Sequence, residues 1–432
     1  PGRLDQLLDP YYEADLEAGR IDEQGALELV GCFTVKISEI VPVFSRRITR
    51  FHGGLFNGQV VVVGGTDAEG RDATNPMTWL FLEAMGQLRM RQPNYHARLH
   101  QRSPRPYVER IATMLEQGSG APSLINDEVI VPMLVGRGAT IADARDYSPV
   151  GCVEPVAGSA TFGSTDAALV NLPLCLERAL GLKSDGAPTA PAVGCTEIGQ
   201  LVELFAAQVE HLVESMRVEL QAIERANARW HPTPLTSALL QGCLESGTDA
   251  SAGGARYNGS GVQGVGVADV ADSLAAIEQV VFEQRICDIA ALVAALRRDF
   301  AGQPHLRGHL LRAPKYGNDD PRVDRFARQV MAIFSDALAL RKNTRGGDYW
   351  AGFYSVTAHQ AFVETTGALP SGRLAGQPLA SGLSPANGLD RRGPTACLNS
   401  AAGLDLVQRA RNGVNVNLKL DRGALAHGDG AA

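Results

Sequence analysis

The chain has 432 residues, with 40 basic and 47 acidic side chains and a formal net charge of −7. Its hydrophobic fraction of 45% and charged fraction of 20% are those of a globular protein with ample length for a core. Mild acidity without a basic stretch argues against nucleic-acid binding, and no apolar run is long enough to cross a bilayer.

Residues 60–63, four apolar positions before a glycine pair, read as a strand. Residues 184–192 read as a surface loop or the base of a hairpin, the one candidate linker. Leu201, Leu204, Phe205, Leu212, Met216, Leu220 and Ile223 recur at helical spacing. A second predicted helix is capped by Asp272-Ser273 and runs through Ile277, Val280, Val281, Ile286, Ile289, Val293 and Leu296. A third follows Asp319-Asp320-Pro321, with Val323, Phe326, Val330, Ile333, Phe334 and Leu338 inward and Pro321 in its first turn. Residues 353–357 read as another strand. Glycine pairs at 53–54, 64–65, 253–254 and 346–347 punctuate the chain. Alternating strands and helices favour an α/β class in one domain. The seven cysteines are odd in number and nowhere at CxxC spacing, which offers neither an iron–sulfur cradle nor a disulfide framework. A reducing cytoplasm is the expected compartment.

The chemistry-bearing segment is Tyr147-Ser148-Pro149-Val150-Gly151-Cys152-Val153-Glu154-Pro155. In an extended loop, residues i and i+2 project to one side, so the Cys152 thiol and the Glu154 carboxylate are predicted to address a substrate from one face. The plainer alternatives are a buried apolar cysteine and a solvated loop acid. Gly64-Gly65 with Gly70 lacks the Lys-Ser/Thr of a phosphate loop. His96 and His100 stand four apart without a third ligand, and His231 stands alone. Asn318-Asp319 reads as a helix cap, and Arg373 as a turn anchor or a substrate contact.

Gly151-Cys152-Val153-Glu154-Pro155 resembles the catalytic cysteine loop of the glycyl radical enzymes, the pyruvate formate-lyase superfamily. Further segments carry the resemblance in order along the chain. Upstream lie Gly64-Gly65-Thr66-Asp67 with Gly70 and Asp72-Ala73-Thr74-Asn75, then Pro93-Asn94 with Arg98. Pro122-Ser123-Leu124-Ile125-Asn126-Asp127 and Asp143-Ala144-Arg145-Asp146-Tyr147 follow. Downstream lie Gly253-Gly254-Ala255-Arg256-Tyr257-Asn258, Tyr316-Gly317-Asn318-Asp319 and Ala368-Leu369-Pro370-Ser371-Gly372-Arg373. Gly413, Asn415, Asn417 and Lys419 resemble the family's approach to its C-terminal domain.

The resemblance implies a ten-stranded α/β barrel with helices outside and the cysteine finger loop inside. It implies a thiyl radical on Cys152, with Glu154 as general base, eliminating water or a similar group from a small hydroxylated substrate. Decarboxylation or C–C, C–N or C–S cleavage on the same scaffold is the alternative, and a catalytically incompetent fragment or scaffold subunit is another. The cysteine loop is most similar to the glycerol dehydratase and choline trimethylamine-lyase type. Asp166, fourteen residues beyond Cys152, stands where glycerol dehydratase holds a substrate hydroxyl; its plainer reading is an acid at a helix N-terminus. Those enzymes carry Trp-His before that aspartate. Ser164-Thr165 here implies a roomier, less basic corner, which disfavours glycerol and choline.

The family's radical glycine lies in a motif like Arg-Val-x-Gly-Tyr, which these residues lack; Arg422-Gly423-Ala424-Leu425 is no substitute. The expectation is therefore a barrel domain over residues 1–432, incomplete at both ends, with the C-terminal glycyl radical domain absent. No cofactor is expected on this chain. The radical is expected on the missing segment or on a separate chain, installed by an activating enzyme using S-adenosylmethionine and an iron–sulfur cluster. Homodimerisation is expected, with no nucleic-acid or membrane partner.

Overall fold

The computed structural model describes residues 2–46, 49, 58–118 and 120–420. Gly53-Gly54 and the segment from Arg422 onward lie outside the described residues. Two compact units divide the chain, one of Pro1–Ala160 together with the residues from Lys419, the other spanning Thr161–Leu418. Among the described residues no helix is long and apolar enough to cross a membrane.

The first unit opens with α1 (Leu4–Glu17) and α2 (Glu23–Ser38), followed by β1 (Val60–Gly64) and α3 (Pro76–Leu88). Then come β2 (Asn94–Leu99), α4 (Arg105–Glu116) and β3 (Ser123–Asn126). The three strands are parallel in the order β1-β2-β3, with Val62 opposite His96 and Arg98 opposite Ile125. All five residues of β1 are buried, as its unbroken valine run requires of a parallel strand covered on both faces. A capping box starts α3: Asn75 Oδ1 accepts from Thr78 N–H at 2.9 Å, and Thr78 Oγ1 accepts from Asn75 N–H at 3.1 Å. Phe81, Tyr95, Tyr107 and Met114 fill the core between these helices and the sheet. Two short helices, α5 (Asp127–Gly136) and α6 (Ile141–Arg145), lead into an antiparallel hairpin of β4 (Tyr147–Pro149) and β5 (Pro155–Ala157).

The second unit is built on β6 (Ser164–Asn171), α7 (Leu172–Ala179), the 33-residue α8 (Ile198–Trp230) and β7 (Ser260–Val265). It continues with α9 (Val267–Ile277), α10 (Ile289–Arg297), α11 (Pro304–Arg312), α12 (Pro321–Ala339), β8 (Tyr349–Gly352) and α13 (Gly393–Ala402). Its strands are parallel in the order β6-β7-β8, with helices in both crossovers. Each unit thus carries an open, three-stranded parallel sheet of the α/β class.

Three local expectations shift. The second predicted helix starts at Val267, not at Asp272, and every residue of α9 is buried. A helix buried all round shows no polar stripe from which its start could be read. Asp272 therefore sits inside the helix, where its Oδ1 accepts from Tyr316 N–H at 2.7 Å. The helical run then loosens through 278–283 and breaks at Arg285, which has φ of 50°; α10 restarts on an Asp288 cap. The last strand covers Tyr349–Gly352, and Phe353 makes a single bridge to Val414. At the third helix Asp320 is the cap, while the Asn318 amide spans the Lys315 and Leu389 carbonyls.

Asp269 lies in α9, fully buried, with its Oδ2 accepting from Ala380 N–H at 2.8 Å. Burial pushes its carboxyl up to about 6, opposed by that amide and by Arg373. The folded chain thus holds a proton that the unfolded chain has released between about pH 4 and 6. This contribution to stability is present at acid pH and is lost as pH rises through about 6. Asp269→Asn keeps the acceptor and removes the titration. Urea unfolding across pH 4–8 should show wild type losing about 2–3 kcal/mol relative to that variant. Parallel pH profiles would refute the assignment.

Candidate active site

The Cys152 loop is the tip of the β4–β5 hairpin. Pro149 pairs with Pro155, and Val150 N–H donates to the Glu154 carbonyl at 2.9 Å, closing a turn over residues 151–153. This is a tight turn and not the extended loop expected from the sequence. Side chains two apart consequently do not simply run parallel. Instead the Glu154 side chain folds back, and its Oε2 accepts from both Cys152 N–H and Val153 N–H at 2.6 Å each. The structure brings Cys152 and Glu154 together through the backbone of the cysteine. Glu154 is 2% exposed and Cys152 is half-buried.

The hairpin stands on a buried ion pair. Arg98, from β2, meets Asp127 at the start of α5 through two bonds, Nε–Oδ1 at 2.9 Å and Nη2–Oδ2 at 2.8 Å. Tyr147, the first residue of β4, donates from Oη to Asp127 Oδ1 at 2.7 Å. Its carbonyl accepts from Arg98 Nη1 at 3.2 Å, and its ring lies 3.9 Å below the guanidinium. Burial pushes the Tyr147 hydroxyl well above its ordinary range, so the phenol stays a donor. Gly65 leaves the necessary room, since a Cβ there would stand 2.4 Å from Arg98 Nε. Higher on the loop, Asn94 Nδ2 donates to the Gly151 carbonyl at 3.0 Å, and Gln92 Nε2 donates to Asn94 Oδ1 at 3.0 Å. Motif residues scattered from 64 to 147 in the sequence thus converge under one turn.

Asp166 belongs to the second unit. It lies within β6, not at a helix N-terminus, since the following helix begins only at Leu172. The side chain is exposed, and its Oδ1 accepts from Tyr354 Oη at 3.0 Å and lies 3.3 Å from Gln263 Nε2. Sequence reasoning missed Gln263, Tyr354 and Asn412, all of them buried. A lone glutamine within the wholly buried strand β7 was the available signal.

The remaining candidates resolve as structural. His96 is buried on β2, and burial pushes its imidazole down to about 4. His100 Nε2 lies 3.1 Å from Asp72 Oδ1. His231 follows the last turn of α8. Among the described residues no group of three or more His, Cys, Asp or Glu is arranged to hold a metal ion. Arg373 anchors its own turn, donating to the Gly367 carbonyl at 2.8 Å and to the Gln377 carbonyl.

Arg98→Met would leave the Asp127 carboxylate buried with Tyr147 as its one remaining side-chain donor among the described residues. Removing one member of a buried pair costs about 3–5 kcal/mol. A urea or thermal unfolding curve should register a loss of that order, and a loss below about 1 kcal/mol would contradict the dependence of the hairpin on this pair.

Comparison with known proteins gives the family. Residues 1–363 match the family described as pyruvate formate lyase-like. The chain is 32% identical to a trans-4-hydroxy-L-proline dehydratase of Clostridioides difficile, over 94% of this chain and 53% of that protein. It is 33% identical to an isethionate sulfite-lyase of Oleidesulfovibrio alaskensis, over 92% of this chain and 50% of that protein. The glycerol-bound glycerol dehydratase of Clostridium butyricum superimposes with a TM-score of 0.96 at 37% identity, covering 99% of this chain and 55% of that one. The chain therefore spans about half the length of the curated relatives it matches, and its open sheets have the fold of part of their barrel. With the motif segments gathered around the Cys152 turn and a family match over most of its length, this chain belongs to the pyruvate formate lyase-like family of glycyl radical enzymes.

Proposed function

We propose that this chain is the cysteine-loop portion of a glycyl radical lyase that eliminates water, or a similar leaving group, from a small hydroxylated substrate. The observation that carries the reading is the Glu154 carboxylate bonded to the Cys152 backbone amide at 2.6 Å. It fixes an acid group and a half-exposed thiol on one turn. A glycyl radical, when present, supplies the means of removing the hydrogen atom from the Cys152 thiol. A half-exposed sulfur at a hairpin tip fits that role. We place that glycine outside these 432 residues, in adjoining polypeptide or in a separate chain. Its installation falls to an activating enzyme that uses S-adenosylmethionine and an iron–sulfur cluster.

The chain's own residues then act as follows. The Cys152 sulfur takes a hydrogen atom from a substrate carbon that bears a hydroxyl, leaving the unpaired electron on that carbon. Glu154 accepts the hydroxyl proton as the neighbouring carbon loses its leaving group. The S–H hydrogen then returns to the product carbon. Both amide bonds fall on Oε2, so Oε1 is the oxygen that receives the proton, in keeping with the short reach general base catalysis needs. Asp166, exposed on β6, accepts a substrate hydroxyl. Relatives named for the loss of water and for the loss of sulfite support a lyase whose leaving group varies.

The test uses the complete enzyme, activated without oxygen, and offers it trans-4-hydroxy-L-proline, glycerol and isethionate. Cys152→Ala should abolish turnover while leaving the glycyl radical signal in electron paramagnetic resonance. Glu154→Gln should lower kcat by about a hundredfold or more. Turnover by the Cys152→Ala enzyme would sink the proposal. Product analysis distinguishes release of water from release of sulfite.

A further inference from the structure

Strands β6 and β7 pair at Ser164–Ser260 and again from Ala168–Val262, with a register shift between. Residues 165–167 thus lie opposite Gly261 alone, a bulge of the kind that re-aims a side chain beside a functional site. Asp166 is the middle residue of that bulge. The carbonyl before it, that of Thr165, accepts from two side-chain amides, Gln263 Nε2 at 2.6 Å and Asn412 Nδ2 at 2.7 Å, and lies 3.0 Å from Tyr354 Oη, whose single proton goes to Asp166 Oδ1. Asn412 also donates to Tyr354 Oη at 3.1 Å, and Gln263 does so at 2.6 Å. Asn412 and Gln263 are both 0% exposed.

Two glycines make room for these amides. A Cβ on Gly261 would stand 2.1 Å from Asn412 Nδ2, and one on Gly352 would stand 1.9 Å from Gln263 Oε1. Strand pairing alone does not account for the cluster: Asn412 Oδ1 and Gln263 Oε1 are buried with no hydrogen-bond partner among the described residues. Leaving a buried acceptor unsatisfied is unfavourable. What the arrangement does secure is the direction of one carbonyl, and with it the backbone that carries Asp166.

We propose that Asn412 and Gln263 are positioning residues that clamp the Thr165 carbonyl across the β6 bulge and thereby aim the Asp166 carboxylate at a substrate hydroxyl. This rests on the reading of Asp166 as a substrate contact.

The test is a kinetic cycle on the complete, activated enzyme. It uses whichever of trans-4-hydroxy-L-proline, glycerol and isethionate the enzyme turns over. Asp166→Asn and Asn412→Leu should each raise KM about tenfold or more, with kcat and glycyl radical content little changed. The double variant should be no worse than Asp166→Asn alone, because both changes remove the same contact. Gln263→Met, which also removes a donor at similar volume, should repeat the pattern if Asn412→Leu does not fold. An additive double variant, or a normal KM in Asn412→Leu beside a raised KM in Asp166→Asn, overturns the positioning role alone. An unchanged KM in Asp166→Asn, or no turnover of any of the three compounds, overturns the reading beneath it. Failure of both clamp variants to fold would show a purely structural clamp and refute the proposal.

Discussion

The first unit depends on the Arg98–Asp127 ion pair. It ties the middle strand of the sheet to the start of α5 and to the first residue of β4, so the hairpin that carries Cys152 begins from a fixed point. A buried ion pair is not in itself a strong source of stability, since desolvation of both charges opposes their attraction. Its value here is geometric. The guanidinium is planar and forked, so it holds a carboxylate through two bonds while its third nitrogen addresses the Tyr147 carbonyl. A lysine has no such fork. The same demand explains the glycine pair at 64–65. Both positions have positive φ, and a side chain on either would strike Tyr107 or Arg98.

The two units position their carboxylates in a related way. In each, a backbone group close to the proposed functional residue takes part in the hydrogen bonds that set its place. Glu154 is fixed by the amides of the turn it belongs to. Asp166 is presented by a bulge whose carbonyl two side-chain amides hold. Backbone atoms move little once a strand is paired, so a group aimed through the backbone inherits the rigidity of the sheet.

Much of this could be read from the sequence where one physical signal dominated. The valine run of β1 and the helical spacing in α8 and α12 mark elements that fall where expected, although Ile223 of the α8 set is exposed. Pro321 and Asp320 mark the start of α12 because a missing N–H and a capping carboxylate act locally. The start of α9 was illegible because all eleven of its residues are buried, which erases the periodicity. Asn412 was illegible for a different reason. Its partners Thr165 and Tyr354 lie 247 and 58 residues away, and nothing local in Arg411-Asn412-Gly413 tells a loop asparagine from a clamp. Motif resemblance located Cys152 and Glu154 but not how they meet. The meeting is set by the turn between two proline rungs.

That turn also decides which substitutions are informative. In the proposed mechanism Glu154 has two tasks on one carboxylate: Oε2 ties the Cys152 and Val153 amides, and Oε1 takes the proton. Alanine removes both, so a loss of activity would confound a disordered loop with a missing base. Aspartate shortens the side chain by one methylene and withdraws it from amides that sit at 2.6 Å. Glutamine retains a carbonyl oxygen to accept from the two amides and loses the capacity to take a proton near neutral pH. A loop that keeps its shape while proton transfer fails is therefore obtained only with the amide. The division of labour between the two oxygens is what makes the distinction possible.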